Sequence, residues 1–79
     1  MGSIRIKYMR DEYPGKSDEE AARAYAQKYG CMAVVRYKGA ASASDFTDIG
    51  LCDSEAQIRG YFTSPYCHGA EIIYDGRRR

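Results

Sequence analysis

The chain has 79 residues, with 12 lysines and arginines against 11 aspartates and glutamates, for a formal net charge of +1. This length predicts a single domain over residues 1–79 and argues against a second folded unit. The near-neutral charge disfavours nucleic-acid binding driven by bulk charge. No apolar run approaches the roughly 20 residues of a membrane span, so we expect a cytoplasmic protein that does not bind membranes.

Residues 4–9 alternate between apolar and mostly basic side chains. Ile4, Ile6 and Tyr8 alternate with Arg5, Lys7 and Met9. This spacing of two is typical of a half-buried strand. The sequence therefore predicts a first strand with a basic outer face, preceded by residues 1–3, which fit a cloning remnant or a disordered end.

A helix is predicted after the Pro14-Gly15 turn. Ser17 and Glu20 have the spacing of a capping box, in which the first side chain caps the helix and the second returns the hydrogen bond. Gly30 is a typical helix stop. The predicted buried stripe consists of Ala22, Tyr25, Ala26 and Tyr29.

Two further strands and a hairpin are predicted next. The segment Cys31–Lys38 is rich in residues that favour strands, and the small, polar segment Gly39–Ser44 suits a hairpin connection. Asp45–Ile49 is predicted as the third strand, with Phe46 facing the core, and Gly50 is expected to end it.

The last third of the chain predicts a helix, a strand and a basic tail. Asp53 or Ser54 caps the helix, which ends at Ser64-Pro65. Alternation over 70–74 predicts the final strand, and residues 76–79 form the tail. The complete order is β-α-β-β-α-β, a ferredoxin-like α+β fold with a four-stranded antiparallel sheet. Both helices are expected on one face, which leaves the other face open.

Nothing in the sequence favours catalysis. Cys31, Cys52 and Cys67 are odd in number and widely spaced, which favours reduced thiols over a disulfide framework. Cys67 and His68 are adjacent, so in an extended segment they point apart and are poorly placed to share a proton or a metal. The paired spacings of structural zinc sites are missing. We therefore expect no enzyme activity, no metal and no cofactor.

A basic, tyrosine-bearing surface is the predicted site. Eight tyrosines are more than so small a core buries easily, and tyrosine and arginine are enriched in protein interfaces. A nucleic-acid-binding module that uses the same basic face is the alternative interpretation, although the pattern of an RNA-recognition module is absent. The ordinary interpretation is a solvated basic strand face that is partly paired with Asp45 or Asp48. The predicted partner-binding residues are Arg5, Lys7, Tyr8, Arg36, Tyr37, Lys38, Arg77, Arg78 and Arg79.

The segment Asp53-Ser54-Glu55-Ala56-Gln57-Ile58-Arg59-Gly60-Tyr61-Phe62 resembles a helix of some small phage-encoded anti-CRISPR proteins. The resemblance implies a stoichiometric inhibitor that binds a Cas protein or a Cascade-type interference complex. Such an inhibitor blocks DNA recognition or nuclease recruitment and needs no cofactor. Because these proteins share no common motif, no functional residue is carried over. The acidic residues 18–20 are the other candidate face.

Overall fold

The computed structural model describes residues 3–39 and 47–77. Within them the chain forms three helices and a three-stranded antiparallel sheet in the order β2-β1-β3. The helices are α1 (Ser3–Glu12), α2 (Asp18–Tyr29) and α3 (Glu55–Thr63), and the strands are β1 (Ala33–Gly39), β2 (Thr47–Cys52) and β3 (Cys67–Asp75). The α+β class agrees with the sequence prediction, whereas the four strands and the β-α-β-β-α-β order are not confirmed.

The predicted first strand is wrong, because this segment forms helix α1. Met9, assigned to the outer face of a strand, is 0% exposed, whereas Tyr8, assigned to the inner face, is 55% exposed. Ile6, Met9 and Tyr13 are spaced three and four residues apart, which places them on one side of a helix. All three pack in the cluster formed with α2. In addition, both edges of β1 are already paired, which leaves no central position for another strand.

Helix α2 agrees with its predicted boundaries. The Ser17 side chain accepts a hydrogen bond from the Glu20 backbone N–H, and the Glu20 side chain accepts from the Ser17 N–H. Gly30 ends the helix in the left-handed region, at φ 78°. Tyr29 departs from the predicted buried stripe: it is 52% exposed, and its hydroxyl donates to Glu12 at 2.7 Å.

The two helices predicted on one sheet face lie on opposite faces. Val34 packs with α1 and α2, whereas Ala33 and Val35 pack with Ile58 of α3. Alternate strand residues point to opposite faces. Three consecutive residues that are fully buried therefore require cover on both sides. The open sheet face expected for partner binding is accordingly covered at its centre.

The remaining elements differ from prediction mainly at their ends. Strand β2 runs through Gly50, which was expected to end the strand, and begins at Thr47. Ser54 is the N-cap of α3, and its hydroxyl accepts from the Gln57 N–H at 3.2 Å. Of the predicted connection 39–44, the structure describes Gly39. The rest of this connection lies outside the described residues, as do Asp45 and Phe46.

Candidate partner-binding groove

The residues predicted to form one basic surface are distributed over several parts of the molecule. Arg36 faces α2, where it pairs with Glu19 at 2.8 Å and also with Glu71 of β3. Tyr37 points to the opposite face and packs on Tyr61, with ring centroids 4.9 Å apart. Lys38 is exposed on β1. The sheet therefore does not gather these three side chains on one face.

The predicted residues of the amino-terminal segment lie on α1 instead of a strand. Arg5 pairs with Asp53 and donates to the Cys31 sulfur at 2.7 Å. Lys7 pairs with Asp11 one helical turn away, at 3.2 Å. Tyr8 is exposed. Helix α1 thus carries both of these cations.

The carboxyl-terminal arginines are only partly described. Arg77 pairs with Glu55 at 2.8 Å and with Asp75 at 2.9 Å, which ties the end of β3 to the start of α3. Arg78 and Arg79 lie outside the described residues. The structure therefore gives Arg77 a structural role, holding β3 against α3.

The alternative acidic face is also engaged within the chain. Asp18 accepts two hydrogen bonds from Arg10, and Glu19 pairs with both Arg23 and Arg36. Glu20 belongs to the capping box of α2. These carboxylates are explained by helix capping and ion pairing, so the face formed by residues 18–20 has less support as a binding surface.

A groove of about 890 Å³ passes over the outer edge of β2. Its floor is β2, and it is lined by α1 on one side and by α3 on the other. Because these helices lie on opposite sheet faces, a groove lined by both must cross the sheet edge. Its lining includes residues of α1 (Arg5, Ile6, Lys7, Arg10, Asp11), of β2 (Asp48, Ile49, Gly50, Leu51) and of α3 with the residue that follows it (Gln57, Gly60, Tyr61, Ser64).

The backbone of β2 presents hydrogen-bonding groups to this groove. The Cys52 carbonyl points toward β1, where it accepts from the Met32 N–H at 2.9 Å. In an antiparallel strand alternate residues bond to alternate sides, so Ile49 and Leu51 direct their backbone groups outward. The Ile49 N–H agrees with this assignment, since it donates to the carboxylate of Asp48 at 2.9 Å rather than to β1. Within the described part of the chain, no strand lies beside this edge.

The other edge of the sheet is less suited to pairing. The register of β3 with β1 shifts twice, between Val34 and Val35 and between Arg36 and Lys38. Such bulges twist a strand and protect its edge from pairing. The register of β2 with β1 is continuous over six residue pairs. Strand β2 is therefore the regular edge, and it is the one with walls on both sides.

Two stacked tyrosines and a carboxylate lie beside β2. The Tyr61 ring covers Gly50, where a Cβ atom would overlap it. The Tyr37 hydroxyl lies 3.4 Å from an Asp48 carboxylate oxygen. Burial, with the nearby Asp48 charge, raises the pKa of Tyr37 to about 12, and burial also raises the pKa of Tyr61. Both hydroxyls therefore stay neutral at physiological pH and are suited to hydrogen bonding.

This tyrosine pair predicts a loss of stability in strong alkali. The pKa of tyrosine is about 10 in an unfolded chain, and the fold raises it to about 12 at Tyr37. The fold thus favours the neutral form, so this contribution is fully present below pH ~10 and is lost as the pH rises toward ~12. Urea unfolding between pH 9 and 11.5 should show a steeper decline for the parent than for Tyr37→Phe. Parallel curves would contradict the assignment.

Two of the three thiols, those of Cys31 and Cys52, are buried. Burial raises the pKa of Cys31, and it raises that of Cys52 to about 11. Both thiols are therefore protonated near neutral pH and are poor nucleophiles. His68 is exposed on β3, next to the partly buried Cys67. Among the described residues, no three histidine, cysteine or acidic side chains gather where they would hold a metal.

A scan against protein-family models finds no match, and searches of curated proteins and of solved structures find no significant similarity. No helix within residues 3–39 and 47–77 has the length and apolar character needed to cross a membrane. Interpretation of the groove therefore depends on its own geometry.

Sequence reasoning missed most of the groove. Arg5, Lys7 and Tyr37 were predicted site residues and do line it, whereas Gln57, Gly60 and the other lining residues of β2 and α3 were not predicted. Gly50 and Gly60 carried a signal, because they lie within a strand and within a helix, respectively. Glycine within a strand often marks the close approach of another group, as Tyr61 approaches Gly50.

Proposed function

We propose that the protein is a binding protein that takes an extended segment of a protein partner as an added strand beside β2. The observation that carries this proposal is the regular outer edge of β2, open along the groove between α1 and α3. In strand addition the backbone hydrogen bonds supply affinity, and the walls on either side select side chains. The groove volume is within the range of known ligand sites, about 300–1,000 Å³.

Gly60 offers a way to close the groove without damaging the fold. It lines the groove from α3, and a Cβ atom at this position meets nothing within 4 Å. Leucine is a better helix former than glycine by about 0.5–1 kcal/mol. We therefore expect Gly60→Leu to fold at least as well as the parent while its side chain occupies the groove.

The test is selection of binders from a random octapeptide library displayed on phage. Selected peptides are expected to compete with one another and to bind Gly60→Leu at least about tenfold more weakly than the parent, a difference of about 1.4 kcal/mol. Arg59→Leu is the matched control, since Arg59 is exposed on α3 and is not part of the groove lining. Selected peptides that bind both variants equally would contradict the proposal.

A narrower form of the proposal concerns the partner. The segment 53–62, which resembles a helix of some anti-CRISPR proteins, contributes Gln57, Gly60 and Tyr61 to the groove. This link supports a stoichiometric inhibitor of a Cas protein or a Cascade-type complex. Added to a purified type I interference complex, the protein is expected to abolish target DNA binding or nuclease recruitment at a one-to-one ratio, and Gly60→Leu is expected not to. Full DNA cleavage at a tenfold excess of the protein would rule out this form.

The alternative of a nucleic-acid-binding module is less well supported. Arg36 and Arg77 are each held by two carboxylates, and they lie on other elements than the cations of α1. Backbone phosphates are bound by cations gathered on one surface. A binding curve to single-stranded RNA that weakens steeply with added salt would favour this alternative, and a flat titration would remove it.

A further inference from the structure

The two walls of the groove differ in charge. The α1 wall contributes three cations, Arg5, Lys7 and Arg10, and one carboxylate, Asp11. The α3 wall contributes Gln57, Gly60, Tyr61 and Ser64, which carry no charge at neutral pH. The cations of the groove therefore lie on one side of the sheet, whereas the other side has uncharged wall residues and, next to Tyr37, the carboxylate of Asp48.

The internal partners of Lys7 and Arg10 leave these two cations able to bind a further anion. The side chains of Lys7 and Arg10 are 70% and 57% exposed, and each pairs with an exposed carboxylate, Asp11 and Asp18 respectively. Exposed pairs of this kind are worth only about 0–1 kcal/mol. A carboxylate brought into the groove can therefore share these cations at little cost.

An added strand would meet the two walls with alternate side chains. Side chains along a strand point by turns to the two faces of the sheet, and α1 and α3 cover opposite faces at the β2 edge. One set of alternate residues in the partner segment therefore faces the cations of α1. The other set faces the uncharged wall, where Tyr61 supplies an aromatic surface.

A second copy of this chain is a poor occupant of the groove. Two β2 edges pair antiparallel about a two-fold axis that is perpendicular to the sheet, so each face of one copy continues into the same face of the other. The α1 wall would then meet the α1 wall of the partner copy. Each wall carries three cations and one carboxylate, so the contact would bring together two surfaces with an excess of positive charge, and the charge favours a different chain.

We propose that the occupant of the groove is an extended segment of another protein that carries Asp or Glu at alternate positions, with uncharged side chains between them. This inference rests on the proposed strand addition at β2 and specifies the sequence it selects. The carboxylates lie against Lys7 and Arg10, and the intervening side chains lie against Tyr61 and Gly60.

Asp48 restrains this binding. Its carboxylate accepts from the outward N–H of Ile49, the position that a carbonyl of the added strand would take, and it places a negative charge at the edge. Asp48→Asn keeps an acceptor and removes the charge, whereas Asp48→Ala removes both. Binding of the acidic segment is therefore expected to strengthen in the order parent, Asp48→Asn, Asp48→Ala.

Three rhodamine-labelled octapeptides test the inference by fluorescence anisotropy. Each alternates valine with one other residue, which is glutamate, glutamine or lysine. The glutamate peptide is expected to bind at least tenfold more tightly than the lysine peptide, with the glutamine peptide between them, and to lose this advantage between 50 and 500 mM salt. Lys7→Glu combined with Arg10→Glu should reverse the order, and Lys16→Glu, which lies outside the groove lining, should preserve it.

The outcomes separate this inference from the proposal on which it rests. Equal binding of the three peptides at β2, or tighter binding of the lysine peptide there, overturns the acidic preference and leaves strand addition in place. Binding of any of them that does not shift the backbone amide resonances of β2, or no binding by any peptide at 1 mM, overturns both.

Discussion

Met9→Ala is expected to lower the free energy of unfolding by about 2–5 kcal/mol, the usual cost of emptying a fully buried position of this size. Met9 is 0% exposed and lies where α1 packs against α2 and the sheet. Because a single core in a domain of this size rarely supplies more than about 3–5 kcal/mol, the variant should be largely unfolded or sharply destabilised in urea unfolding followed by circular dichroism.

The neighbouring residue supplies the matched control. Tyr8 is 55% exposed on α1, so Tyr8→Ala should change the free energy of unfolding by no more than about 0.5 kcal/mol, as is usual at surface positions. A strand at residues 4–9 would require the opposite ranking, with Tyr8 buried and Met9 outside. A costly Tyr8→Ala beside a harmless Met9→Ala would therefore contradict helix α1.

Gly50→Val is expected to destabilise the protein by about 1–3 kcal/mol, the usual cost of overpacking. A Cβ atom at Gly50 overlaps the ring of Tyr61, so the ring must leave β2 and its contact with Tyr37. Gly39→Val is the control, because a Cβ atom there meets nothing within 4 Å. Urea unfolding of both variants measures the difference.

A double-mutant cycle separates this overlap from other effects of the valine. With Tyr61→Ala in the background the obstructing ring is gone, so Gly50→Val should cost much less than it does in the parent. Residues in contact show coupling of about 0.5–3 kcal/mol in such cycles. If the changes in the free energy of unfolding are strictly additive, Tyr61 does not rest on Gly50 and the α3 wall of the groove is not formed as described.

The elements that the sequence predicts well are those whose signals are local. The capping box joins Ser17 to Glu20, and the N–H of the helix stop Gly30 bonds to the Ala26 carbonyl four residues earlier; the structure has both as predicted. Ser54 caps α3 for the same reason. Such hydrogen bonds join residues three or four positions apart, so they can be read without knowledge of the fold.

Helix α1 and the placement of the helices depend on contacts that are distant in sequence. Alternation over residues 4–9 fits a strand, yet Met9 is buried by α2 and by β-strand residues more than 20 positions away. The run Ala33-Val34-Val35 carried a usable signal, because an uninterrupted apolar run is typical of a strand that is covered on both faces. In the structure all three residues are fully buried. The prediction of an open sheet face overlooked it.

The groove was beyond sequence reasoning for a related reason. It is made of two helices and a strand edge that approach only in the folded chain, and its α3 wall depends on Tyr61 resting on Gly50. The sequence offered arginines, lysines and tyrosines as candidates. Which of them share a surface is decided by the strand order and by internal partners such as Glu19 for Arg36.

Amide hydrogen exchange of β2, with and without a display-selected peptide, tests strand addition most directly. The outward amides of Thr47 and Leu51 should exchange markedly more slowly when the peptide is bound, because they gain carbonyl partners. The inward amides of Gly50 and Cys52 already face β1 and should change little. Protection that alternates along β2 is the expected result, whereas protection confined to the helices, or unchanged exchange throughout β2, would contradict the account.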